Sequence, residues 1–167
     1  LRQKEMYVGD TYVIPEPQIS PDDATNTTLD YKVESGAYIT FDKSSRTITA
    51  QKAGGPWGIT IRANDGSGKY CQFLVTVKNR SVEFVTLDKE SVTVKPGKSF
   101  TLTPSVYPAN ATDKTVKWKS SDTSVATVSS KGVVTAKGEG KATITVTTND
   151  GSKEAYCEVT VDNVSTM

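Results

Sequence analysis

Between residues 100 and 161, apolar and polar positions alternate with a period of two. Phe100, Leu102 and Val106 share one phase, and Val116 with Trp118 repeats the pattern. Ala142, Ile144 and Val146 follow it, and so do Ala155, Cys157, Val159 and Val161. Thr, Lys and Ser occupy most of the positions between. Such alternation predicts antiparallel strands with one buried and one wet face. Turn chemistry separates the runs at Pro96-Gly97, Pro108-Ala109-Asn110, Ser130-Lys131-Gly132, Gly138-Glu139-Gly140 and Asn149-Asp150-Gly151. No window sustains a period of 3.6, so no long helix is expected. Short strands with turns every ~8–12 residues predict a β-sandwich.

The same pattern occurs earlier in the chain. Residues 59–77 read ITIRANDGSGKYCQFLVTV, and residues 144–161 read ITVTTNDGSKEAYCEVTV. Asn64-Asp65-Gly66-Ser67 answers Asn149-Asp150-Gly151-Ser152, Cys71 answers Cys157, and Val75-Thr76-Val77 answers Val159-Thr160-Val161. Further back, Ile48-Thr49-Ala50 answers Val134-Thr135-Ala136, and Tyr31 answers Trp118. Pro21-x-x-Ala24-Thr25 answers Pro108-x-x-Ala111-Thr112, and Gly9, Tyr12 and Ile14 answer Gly97, Phe100 and Leu102. The expected fold class is therefore all-β, two tandem antiparallel β-sandwiches, with domains over 1–79 and 80–167. The junction at Asn79-Arg80-Ser81 carries no Gly/Ser or Pro run, so little hinge freedom is expected. An elongated monomer with small, polar contacts between domains follows from that reading.

Composition narrows the chemistry. Val (19) and Thr (24) lead the 167 residues, and both suit a pleated, half-buried surface. Lys+Arg is 20 against Asp+Glu 19, a net charge of +1, which argues against a nucleic-acid partner. No apolar run approaches the ~20 residues of a membrane span. The N-terminus lacks a signal peptide's apolar core and opens without Met, as in a piece of something longer. The chain has no histidine, which removes Ser-His-Asp and Cys-His pairs and His-ligated metal sites. No enzyme activity, metal or cofactor is expected.

The second copy carries a resemblance. Leu87-Asp88, Ser91-Val92-Thr93-Val94, Pro96-Gly97, Leu102-Thr103 and Pro108 lead into Val116-Lys117-Trp118-Lys119-Ser120-Ser121-Asp122. Ser124-Val125-Ala126-Thr127-Val128, Gly132-Val133-Val134-Thr135-Ala136 and Gly140-Lys141-Ala142-Thr143-Ile144-Thr145-Val146 follow. Over residues 82–161 this order resembles the bacterial immunoglobulin-like group 2 family. The first copy is a more divergent domain of the same broad type, with Tyr31-Lys32-Val33-Glu34-Ser35 in place of the Trp118 segment. The resemblance implies a noncatalytic spacer or adhesion module of a bacterial cell-surface or secreted protein, located extracellularly. Its partner would be a protein or glycan on a cell surface. A phage virion component binding host glycans, and an accessory carbohydrate-binding domain of a surface enzyme, are the alternatives. Fold alone does not choose among them.

Few residues offer chemistry. Cys71 and Cys157 lie in phase with apolar neighbours and read as two reduced, buried thiols. Trp57, in Ala53-Gly54-Gly55-Pro56-Trp57-Gly58, could contact a partner or a sugar. Core filling is the better-founded reading, because Trp57 stands where the second copy has the small Ala142 and is in phase with Ile59 and Ile61. Trp118 is expected to pack across its sandwich. Asp22-Asp23, Asp65, Asp122 and Asp150 fall in turns, and no Asp-x-Asp-x-Asp-Gly calcium loop occurs.

Overall fold

The computed structural model describes residues 2–20, 24–34 and 36–163. Contacts divide the chain into two compact units, Leu1–Asn79 and Arg80–Met167, and among the described residues the regular elements are all strands. The turn assigned to Asp22-Asp23, the Pro21 end of the repeat and Ser35 lie outside the described residues.

Among the described residues the first unit has seven strands: β1 (Arg2–Tyr7), β2 (Thr11–Val13), β3 (Leu29–Val33), β4 (Ile39–Asp42), β5 (Thr47–Ala50), β6 (Gly54–Ala63) and β7 (Tyr70–Lys78). They form one sheet in the order β1-β7-β6-β3 and a second in the order β2-β5-β4. Ile39 and Ile48 from one sheet meet Ile59, Val75 and Val77 from the other in a closed core. These are the apolar phases of the alternation, and their burial supplies the main driving force.

The second unit continues with β8 (Phe84–Leu87), β9 (Ser91–Val94), β10 (Ser99–Thr101), β11 (Pro104–Tyr107) and β12 (Val116–Ser120). It ends with β13 (Ala126–Val128), β14 (Val133–Ala136), β15 (Gly140–Thr148) and β16 (Glu154–Val161). The sheets run β12-β15-β16-β9 and β10-β14-β13, and β8 pairs with β11 in a separate two-stranded ribbon. Leu102 and Val134 pack on Ile144, Cys157, Val159 and Val161.

Alternation reports which face a residue takes, not the direction of its neighbour. In both units the first strand of the larger sheet joins in parallel: β1 along β7, and β9 along β16. The remaining pairs are antiparallel.

Strand register shows which residues of the two copies are structurally equivalent. Tyr31 stands opposite Ile61 as Trp118 stands opposite Val146. Trp57 stands opposite Val75 as Ala142 stands opposite Val159. The cysteines do not correspond. Cys71 pairs with Ile61, whereas the residue that pairs with Val146 is Ala155; Cys157 pairs with Ile144 and so matches Phe73. The two Tyr-Cys dipeptides are displaced by two residues, a slip that preserves the face and hides itself in the alternation.

Candidate functional site

That slip decides the fate of the thiols. Cys157 is wholly buried and its thiol is pushed up in pKa, first by burial. Cys71 sits one pair further toward the end of the sandwich, beyond Phe73, and is exposed. The expectation of two buried thiols is thus corrected: both are free, and one is accessible. A thiol reagent should titrate one cysteine rapidly in the native protein and the second only on denaturation. Two slow thiols would contradict this placement.

Trp57 owes its position to an irregularity. Gly54 pairs with Val77, but Trp57 pairs with Val75, so β6 spends an extra residue against β7. Gly55 makes that bulge possible: its φ is 121°, and a Cβ there would lie 2.7 Å from the Val75 carbonyl oxygen. The bulge turns Trp57 toward the core, where it is half-buried and stacks on Tyr38 with ring centroids 4.5 Å apart. Lys52 covers the Tyr38 ring, its Nζ 5.4 Å from the centroid. The indole Nε1 is enclosed without an acceptor. A buried donor left unpaired costs about 1–3 kcal/mol. Trp57→Phe should therefore keep the stack and leave the first unit's melting temperature equal or higher, whereas Trp57→Ala lowers it. Scanning calorimetry of the two variants checks this order.

The turn aspartates act on their own backbone. Asp65 and Asp122 accept the N–H of Ser67 and Ser124 at 2.9 Å each, and Asp113 does the same for Thr115. Hydroxyl groups of Ser67, Thr115 and Ser124, followed by those N–H groups, hold the three carboxyls below their usual range. Their contribution to stability is present above the ordinary carboxylate pKa and is lost as pH falls through the lowered values. Asp150 reaches further and accepts the Val82 N–H at 2.8 Å. Among the described residues, no three His, Cys, Asp or Glu side chains are grouped to hold a metal ion.

Two surface features escape the alternation. Phe84 and Tyr107 face each other across β8 and β11, stacked 4.8 Å apart, and are 49% and 50% exposed. Their signal in the sequence was an aromatic in the wet phase of each run. In the first unit, two adjoining hollows of about 480 and 250 Å³ lie under the segment Pro15–Ser20, and both reach Ile61 and Cys71.

Two facing antiparallel-rich sheets closed over one core, found in each unit by itself, define a class: an immunoglobulin-like module. Residues 81–159 match the family described as bacterial Ig-like domain (group 2). The chain is 33% identical to an Ig-like virion protein of Serratia phage KSP90 over 177 residues, which cover 94% of this chain and 69% of that protein. It therefore belongs to the bacterial immunoglobulin-like group 2 family, with a divergent first domain. It is also similar to a kappa-carrageenase of Pseudoalteromonas carrageenovora, 47% identical over 73 residues, or 44% of this chain and 18% of the enzyme. Among solved structures, the S-layer protein SbsC aligns with a TM-score of 0.49 and 22% identity, over 83% of this chain and 20% of that one. The match spans less than a fifth of the carrageenase.

Proposed function

We propose that this chain is a noncatalytic module displayed on a phage virion, where it contacts the host surface. The observation that carries the reading is the similarity to the Ig-like virion protein, which runs through both units and most of that relative. The immunoglobulin-like sandwiches supply rigid, wet-faced scaffolds, and loops and exposed aromatics supply contact. Stacked aromatic faces such as Phe84 and Tyr107 suit the apolar faces of sugar rings. Trp57 belongs to this proposal through the part of its ring left in solvent; adsorption weakened in Trp57→Phe at unchanged melting would support that contact.

The decisive experiment is localisation. Antibodies to the chain should decorate gradient-purified virions in immunogold microscopy. Chain confined to the cell envelope would replace this reading with a bacterial spacer or adhesion module. Chain found only in a secreted carbohydrate-active enzyme would replace it with an accessory domain, the reading that the carrageenase similarity favours.

A further inference from the structure

The larger sheets of the two units share a frame but not a surface. On the wet face of the sheet β12-β15-β16-β9, Tyr156 stands opposite Thr145, and Glu158 stands opposite Thr143 one row further on. Tyr156 is 54% exposed. Its hydroxyl donates to Glu154 Oε2 at 2.5 Å, and Glu154 accepts the Thr147 hydroxyl at 3.1 Å. Glu154 lies two residues back on the same face, so the bond draws the ring along the strand. A ring held in this way loses little freedom when a ligand stacks on it. In the next rows of the same face is a hollow of about 90 Å³. Lys141, Thr143, Glu158 and Thr160 line it, together with Ser121 just past the end of β12. One ammonium, one carboxylate and three hydroxyls supply both donors and acceptors.

The first unit supplies the comparison. The Ser121 N–H bonds to the Thr143 carbonyl at 2.9 Å, and the Glu34 N–H bonds to the Gly58 carbonyl at 2.9 Å. Glu34 and Gly58 are therefore the counterparts of Ser121 and Thr143. In the first unit this place is filled from within. The Glu34 carboxylate lies on Gly58, where an added Cβ would stand 2.6 Å from its Oε2. By register, Tyr156 and Glu158 answer to Gln72 and Leu74. Gln72 spends its amide on the Thr60 hydroxyl, at 3.3 Å. At these positions an aromatic ring, a carboxylate and an open hollow come together in the second unit alone.

We propose that the wet face of β15 and β16 is a binding site for a neutral glycan. One sugar ring stacks on Tyr156, and the next places its hydroxyls in the hollow. The C–H face of a pyranose suits the negative face of an aromatic ring. Neighbouring hydroxyls on one sugar can donate to Glu158 and accept from Lys141, which a purely apolar or purely cationic ligand could not do. Charge selects the neutral class. Lys117, Lys119 and Lys141 share the face with Glu154 and Glu158, so the signs are interspersed and no one-sided field gathers a polyanion. Phe84 and Tyr107 each spend a ring face on the other, whereas Tyr156 adjoins groups that can bind hydroxyls. The inference rests on the reading of this chain as a surface-contact module, and it gives that contact a place and a ligand class.

The test presents the full chain, clustered on an antibody for avidity, to an array of neutral and acidic oligosaccharides. Neutral members should bind. Titration with the best-bound glycan should shift the amide resonances of Thr143, Tyr156 and Glu158. Tyr156→Ala should weaken binding about fivefold or more, and Glu158→Gln about threefold or more, through loss of a stacking face and of a charged acceptor. Ser121→Glu copies the closed arrangement of the first unit and should block the hollow. Each variant is compared at a melting temperature equal to that of the unsubstituted chain. An array blank for every neutral glycan, a preference for acidic ones, or shifts confined to residues around Phe84 and Tyr107 would overturn the proposal. Binding at Tyr156 with the chain absent from virions would end the virion reading and leave this site standing. Labelled virions with a blank array would do the reverse.

Discussion

Trp118→Ala should unfold the second unit, or nearly so, while the first keeps its own transition. Trp118 projects from β12, opposite Val146, and packs against the core that Leu102, Val134 and Ile144 close. Its ring crosses to the facing sheet, where a Cβ placed on Gly132 would lie 2.9 Å from Cζ2. Truncating a core Trp to Ala costs about 3–5 kcal/mol, and the partial exposure of this ring favours the lower end. Even that is a large part of the ~5–15 kcal/mol that holds a small domain together. Calorimetry should show the second transition shifted down sharply or lost, and the first unmoved. A melting profile equal to that of the unsubstituted protein would place Trp118 outside the core.

How much of this was visible in the residues follows from what period-two patterns encode. The phase of Ile144, Val146, Val159 and Val161 gave their burial, because a strand presents alternate side chains to one face. The exchange of Ala142 for Trp57 was equally legible, since both copies keep that phase. Phase is blind to a slip of two. Cys71 and Cys157 share a Tyr-Cys dipeptide and a face, and only the pairing register separates the buried one from the exposed one. Strand direction was illegible for the same reason: β1 and β9 show no feature that distinguishes a parallel neighbour from an antiparallel one. The glycines ahead of Trp57 read only as a turn, and the bulge at Gly54–Trp57 needed the partner strand to show itself. The candidate contact residue suffered most. Trp57 beside a glycine-rich turn has the same sequence signature whether the ring faces a ligand or a core, and here much of it is spent on Tyr38.

Gly132→Ala should destabilise the second unit nearly as much as the loss of Trp118, and for a related reason. Gly132 has φ +77°, and an added Cβ would press on the Leu102 carbonyl oxygen as well as on the Trp118 ring. Positive φ alone costs a residue with a Cβ about 1–2 kcal/mol. Overpacking adds about 1–3 kcal/mol. Gly97 separates the two effects, because it shares the backbone conformation at φ +76° with nothing within 4 Å of its Cβ position. Gly97→Ala should therefore show the conformational cost alone. The first unit explains why the steric part exists. Arg46 occupies the place of Gly132, at φ 54°, and its carbonyl accepts the Ile14 N–H as that of Gly132 accepts the Leu102 N–H. A side chain is tolerated there in the copy that carries Tyr31, the smaller counterpart of Trp118. Glycine and tryptophan thus go together in one copy, arginine and tyrosine in the other. In a Trp118→Tyr background the Gly132→Ala cost should fall toward that of Gly97→Ala, without vanishing, because the Leu102 carbonyl remains in the way. Urea denaturation of the four variants measures that coupling directly, and strict additivity would show that the ring and the turn do not touch.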